Sequence, residues 1–141
     1  MPTDLRWRLH LRAAPAQVFE LLATDAGRMR FWCEHSQQHG ERIEFEFSGG
    51  MRSSAVVLAC EPPRRFALRY FDSIVNFELA ADGHGGTDLL LSNAGIAEAE
   101  FLEVLLGWLN VLLPLKAMAD FGIDLRNHDP QRSWQQGYVD G

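Results

Sequence analysis

An α+β fold, a curved antiparallel sheet wrapped around one long C-terminal α-helix with two short helices after the first strand, is what this 141-residue sequence predicts. Three observations carry the prediction. Apolar and polar residues alternate with period two in the first segment and through the middle of the chain. The successive strand-like runs lie too close together for crossover helices, so hairpins must join them and the pairing must be antiparallel. The densest apolar region, Val104 to Leu115, comes late and sits inside a helical pattern. A sheet with one apolar face needs a cover, and that helix is the obvious one.

The elements follow in order. Leu5, Trp7, Leu9 and Leu11 alternate with Arg6, Arg8, His10 and Arg12, which marks a half-buried strand with a basic outer face. Pairing of that basic stripe with Glu44 or Glu46 across the sheet is expected. Ala14-Pro15 opens a helix, since proline suits the first helical position, and Val18, Phe19, Leu21 and Leu22 supply its apolar stripe. Thr24 or Asp25 can cap a second short helix running through Phe31-Trp32. Then come about five strands bounded by turn residues: around Ile43 to Phe47, Ser53 to Cys60, Phe66 to Tyr70, Ile74 to Ala80, and Thr87 to Asn93. Gly49-Gly50, Pro62-Pro63, Asp72-Ser73 and the loop Asp82-Gly83-His84-Gly85-Gly86 separate them. A long helix is predicted from Glu98 to Phe121, with Gly122 as its C-cap and a kink at Pro114. Asp129-Pro130 reads as the start of a last short helix, Gln131 to Gln136, ended by Gly137. The chain reads as one domain, 1–141, with residues 122–141 an extension that packs on it.

Composition excludes several classes. With 13 Lys plus Arg against 19 Asp plus Glu the net charge is −6, which opposes a protein that tracks nucleic-acid phosphates. Met1-Pro2-Thr3-Asp4 leads straight into the first strand without the pattern of a secretory signal, and two cysteines are too few for a disulfide framework; a cytoplasmic location is expected. The densest apolar stretch, broken by Gly107, Asn110 and Pro114, is short of a membrane span. Cys33, His35 and His39, with Glu34 and Glu41 nearby, have a superficial metal pattern but lack the paired spacing and distant second half of a zinc site. No phosphate-binding glycine loop, Gly-x-Ser-x-Gly element or His-Glu-x-x-His helix occurs, so neither metal nor cofactor is expected.

Three stretches carry a resemblance. Ala14-Pro15-Ala16-Gln17-Val18-Phe19-Glu20-Leu21-Leu22, Arg30-Phe31-Trp32, and Gly107-Trp108 with Leu112 and Leu115-Lys116 occur in order at matching separations. Together they resemble the START-like (SRPBCC, helix-grip) superfamily, which includes the birch-pollen allergens and the polyketide cyclases. The nearer resemblance, over Leu5 to about Phe121, is to the branch named after the C-terminal domain of the heat-shock-protein ATPase activator. That branch often carries a His three residues before the Gly-Trp pair; Val104 stands there in this chain, so no role of that His carries over. The resemblance implies a cavity for an apolar or aromatic small molecule. It does not imply a reaction, because carriers, cyclases and cochaperone modules share the scaffold.

The candidate ligand-binding residues are Trp32, Phe45, Phe47, Tyr70, Phe77, Asn93, Trp108 and Leu112. The aromatics can line a cavity or fill it. Tyr70 shares strand phase with Phe66 and Leu68, and Asn93 with Leu89 and Leu91, a phase that points both polar groups inward unless their place at the strand ends lets them reach water. Arg69 has the opposite phase and would become a carboxylate anchor only if a bulge turned it inward. Small-molecule binding is the first expectation. An enzyme of the polyketide cyclase or dehydratase type, using acid–base chemistry in the same cavity, is the alternative, and a protein-interaction module of cochaperone type is the third. Leu102, Leu105, Leu106, Leu109, Leu113 and Phe121 occupy more than one helical stripe, so some of them must meet something other than the sheet. Trp134 and Tyr138 are placed to return over the helix; otherwise a homodimer through the long helix or the tail follows.

Overall fold

The computed structural model describes residues 4–141. Its strands are Leu5–Leu11 (β1), His35–His39 (β2), Arg42–Glu46 (β3), Arg52–Glu61 (β4), Arg65–Tyr70 (β5), Ser73–Ala81 (β6) and Thr87–Ala94 (β7). The helices are Pro15–Ala23 (α1), Asp25–Met29 (α2) and Phe101–Phe121 (α3). All seven strands form one antiparallel sheet in the order β1-β7-β6-β5-β4-β3-β2. The two short helices therefore carry the chain from one edge of the sheet to the other. A register shift in the β4–β5 ladder between Val57 and Ala59 marks a bulge, a device that bends a strand and adds to curvature.

β2 has no counterpart in the sequence reading. His35-Ser36-Gln37-Gln38-His39 contains no apolar residue, so period-two hydrophobicity could not reveal it. Among the described residues it is an edge strand paired with β3 alone, and it is fixed by polar contacts instead. Arg28 on α2 is fully buried and donates to Ser36 Oγ at 2.9 Å, Gln38 Oε1 at 3.0 Å, Leu22 O at 3.0 Å and Asp25 Oδ1 at 2.8 Å. Partial burial alone would raise the Asp25 carboxyl, but hydrogen bonds from Ser36, Gln38 and Arg28 outweigh it and hold the pKa below the usual carboxylate value. α2 is shorter than expected: Thr24 caps it by accepting the Gly27 N–H at 3.0 Å, and Phe31-Trp32 lies in the turn beyond. Gly27 allows α1 and α2 to touch, since a Cβ there would stand 2.5 Å from the Glu20 carbonyl.

The expected pairing of the basic stripe with Glu44 or Glu46 does not occur. β1 lies at the opposite side of the sheet from β3, next to β7, where His10 faces Asp88 and Arg8 faces Leu90. Glu44 instead pairs with Arg42 and Glu46 with Arg52, while His10 meets Asp82 at 2.8 Å.

α3 ends as predicted: Gly122 is left-handed (φ 65°), its N–H reaches Met118 O, and the Ile123 N–H reaches Ala117 O. The helix continues through Pro114. By length and composition it could cross a bilayer, yet it buries Trp108, Leu112 and Leu115 in the core. It is tied along its length to the edge of the sheet. Trp7 Nε1 donates to Leu105 O, Lys116 Nζ to His10 O, and Asp120 accepts the N–H groups of Arg12 and Ala13.

The tail departs from expectation twice. Asp129 accepts the Gln131 N–H in a turn, but only Trp134–Gln136 winds into a short 3-10 helix before Gly137. Trp134 and Tyr138 do not cover the outer face of α3, where Leu102, Leu106 and Leu113 stay 67%, 44% and 54% exposed. The tail instead docks where the turn after α2 meets the β3–β4 hairpin. Arg126 donates to Cys33 O and Met29 O at 2.7 Å each, His128 meets Glu34 at 2.7 Å, and buried Ser133 packs beside Gly49.

Candidate functional site

Strand phase places the ends of β5 and β7 against the N-terminal half of α3, and there the core does not close. A cavity of about 610 Å³ lies between them, bordered by Phe31–Glu34, the turns after β3 and β5, the segment after β7, the Val104 and Gly107 side of α3, and the tail. A volume of that size suits a drug-sized ligand.

Five of the expected residues line it: Trp32, Phe47, Tyr70, Asn93 and Trp108. Phe45, Phe77 and Leu112 do not. They share the inward phase but sit deeper, buried to 2%, 0% and 3% exposure, where neighbouring side chains fill the space. Phe45 and Phe77 support the wall from behind, with ring centroids 5.1 Å and 5.8 Å from Trp32.

Trp32 is the hub of the wall. It also meets Tyr70 edge-on at 5.6 Å and Trp108 at 6.1 Å. Its Nε1–H donates to the Tyr70 hydroxyl at 3.3 Å. Among the described residues no acceptor takes the Tyr70 proton, so this buried hydroxyl is an available donor at the cavity wall. Burial pushes its pKa up, against the bond from Trp32, and keeps it neutral.

Asn93 points inward as its phase predicts, but its amide is fully engaged. The Trp108 Nε1–H donates to Oδ1 at 2.9 Å, and Nδ2 donates to Ser73 Oγ at 2.8 Å and Ile74 O at 3.1 Å. Ser73 in turn donates to Tyr70 O. Asn93 therefore orients the Trp108 wall, and Tyr70 supplies the open hydrogen bond.

The rim is acidic. Glu34, Asp72, Glu100 and Glu103 all border the cavity, and among the described residues the last three have no cation within 4 Å. The bordering cation, Arg126, is held by Asp124 at 3.0 Å. Cys33 is buried, and desolvation pushes its thiol up to about 12, so it stays protonated. His35 and His39 are exposed on β2.

Sequence reading missed Phe71, Val111, Arg126 and Trp134 as wall residues. Phe71 follows the inward Tyr70 and reaches the cavity because the turn bends it to positive φ (47°), a conformation that alternation does not foresee. Trp134 is a large apolar residue in a polar tail, bracketed by Ser133 and Gly137, and that isolation was its available signal.

No family model matches this chain, and no curated protein matches it in sequence. Solved structures do match. The protein SSP2350 from Staphylococcus saprophyticus superposes with a TM-score of 0.76 at 16% identity, over 87% of this chain and 96% of that one. The Aha1 dimer from Colwellia psychrerythraea gives 0.74 at 20% identity, over 84% and 97%. DynU16, a protein in the dynemicin biosynthetic locus, gives 0.77 at 18% identity, over 88% of this chain and 49% of its own. One seven-stranded antiparallel sheet, two short helices after the first strand and one long C-terminal helix, matched over most of the chain, make this a helix-grip fold.

Proposed function

We propose that the protein binds a neutral or cationic small molecule with an aromatic or apolar body, held between sheet and α3. The carrying observation is the 610 Å³ hollow walled by Trp32, Trp108 and Phe47, with the Tyr70 hydroxyl as its available donor. Apolar burial supplies affinity at about 25 cal/mol per Å². The Tyr70 O–H orients a carbonyl or other acceptor on the ligand. Carboxylates on the rim disfavour an anion such as a fatty acid.

An acid–base reaction would need a base facing Tyr70. Asp72, Glu100 and Glu103 are exposed at the rim and the Cys33 thiol is protonated, so the arrangement favours holding a ligand over transforming it.

Two experiments test the reading. Native mass spectrometry of protein purified from its own host should find a retained aromatic or apolar compound. In a titration read by tryptophan quenching, the neutral ketone 2-acetonaphthone should bind at least about tenfold more tightly than 2-naphthoate, and Tyr70→Phe should weaken the ketone about three- to tenfold, the worth of one neutral hydrogen bond. Equal affinity for the two probes removes the charge argument, and no quenching by either sinks the binding site.

A further inference from the structure

The outer face of α3 is apolar, and no other part of the chain among the described residues covers it. Leu102, Leu106, Leu109 and Leu113 recur at spacings of four, three and four residues, the heptad pattern that makes a straight seam on a helix. The seam is turned about 120° around the helix from Trp108, Leu112 and Leu115, which are buried. The first, second and fourth leucines are 67%, 44% and 54% exposed.

The four leucines are symmetric about the midpoint between Gly107 and Trp108. Reversing the helix places Leu102 where Leu113 was, and Leu106 where Leu109 was. An isologous two-fold interface needs that property, because residue i of one copy must meet residue j of the other and the reverse. The charges at the ends of the seam agree. Its N-terminal end carries Glu98, Glu100 and Glu103, none with a cation within 4 Å among the described residues. Its C-terminal end carries Arg12, whose guanidinium lies 4.4 Å over the Phe121 ring and has no carboxylate within 4 Å among the described residues. Lys116 is also at that end, bonded to Asp120 and half exposed. In an antiparallel pair each acidic end meets the basic end of the other copy. A lipid surface fits poorly: helices that lie in a membrane interface carry Lys and Arg on their polar face, and here three glutamates flank the entry of the seam in a chain of net charge −6.

We propose that two copies of this chain pair antiparallel through the Leu102–Leu106–Leu109–Leu113 seam of α3, with Leu102 of one copy against Leu113 of the other. The pairing leaves both cavities open, since the cavity lies on the Val104 and Gly107 side of the helix. Glu100 and Glu103 serve both the end of the seam and the cavity rim.

Analytical ultracentrifugation of the full chain between about 1 and 100 µM should show a dimer, and Leu106→Glu should convert it to monomer with unchanged far-UV circular dichroism. Disulfide trapping reads the register separately, in a Cys60→Ser background that removes the exposed native thiol. Chains carrying Leu102→Cys and Leu113→Cys, mixed and oxidised, should give the hetero-linked product. Leu102→Cys alone should not self-link, because its two copies would stand about 16 Å apart along the antiparallel helices. A monomer at every concentration, a dimer that survives Leu106→Glu, or efficient self-linking of Leu102→Cys overturns the proposal. So does a monomer that floats with phosphatidylcholine–phosphatidylglycerol vesicles, which assigns the seam to lipid. If Leu106→Glu loses its fold, the trapping result decides alone.

Discussion

At one end of the sheet–helix layer, Phe66 meets Phe19 edge-on at 6.1 Å, and Val18, Leu22, Leu89 and Leu115 are buried in the same core. At the other end, Trp32, Tyr70 and Trp108 are held by hydrogen bonds around a hollow. Both ends use the same sheet and the same helix, and both face inward with large apolar side chains. The closed end has α1, which lays four buried apolar residues between sheet and α3. The open end has no such helix; turns and the tail border it, and α3 contributes Gly107. A cavity thus arises where the cover is made of backbone turns and a side chain is missing, while polar bonds keep the aromatic walls from collapsing into the space.

Breaking the closed end should cost most. Phe66→Ala removes a fully buried ring and is expected to lower stability by about 3–5 kcal/mol in urea denaturation. Breaking the frame of the open end should cost less. Asn93→Ala strands the buried Trp108 N–H and removes the donor to Ser73 Oγ, for about 1–3 kcal/mol, and should change the near-UV circular dichroism of the tryptophans. A Phe66→Ala loss below that of Asn93→Ala would reverse this ranking of the two ends.

Gly107→Ala has the opposite sign. A Cβ at Gly107 meets nothing within 4 Å, so alanine in this helix interior should stabilise the fold by about 0.5–1 kcal/mol while narrowing the cavity. Stability should rise and 2-acetonaphthone affinity should fall; a rise in both would mean that the ligand lies elsewhere.

The smallest effect concerns the tail that borders the mouth. Hydrogen bonding to Asp124, and then to Glu34, raises the pKa of His128 above its usual 6.5 despite partial desolvation. Partial burial works against ionised Asp124, but its bonds from Arg126 and His128 hold it at about 2. A raised folded pKa means that the His128 contribution is complete below about 6.5 and is lost as pH climbs through the folded value. Amides of the docked tail, such as Asn127, should therefore lose protection as pH rises above about 6.5 after correction for intrinsic exchange, by an amount limited by solvent exposure of the pair. His128→Asn should abolish that dependence.

Much of this fold was readable because most elements are specified locally. The alternation Leu5-Trp7-Leu9-Leu11, Pro15 at the start of α1 and Gly122 at the end of α3 each express a rule that needs no distant partner. β2 was not readable because its strand character comes from β3 on one side and from buried Arg28 beneath, neither of which leaves a mark in His35-Ser36-Gln37-Gln38-His39. The site divides in the same way. Phase alone turned Tyr70 and Asn93 inward, but it could not say that Asn93 would be consumed by Trp108 and Ser73 while the Tyr70 proton stayed available. Nor could it separate Phe47, at the wall, from Phe45, two residues earlier on the same face and in the core.

By itself the sequence determined the periodicities, the caps and the surplus of apolar surface on α3, because these depend on spacing along the chain. Only the tertiary structure decided where that surplus goes: Trp108 to the cavity wall, Leu112 and Leu115 to the core, and the leucine seam to the outside. Burial is a relation between segments distant in sequence, and here it turned on which edge of the sheet the first strand joined and on which surface the tail came to rest.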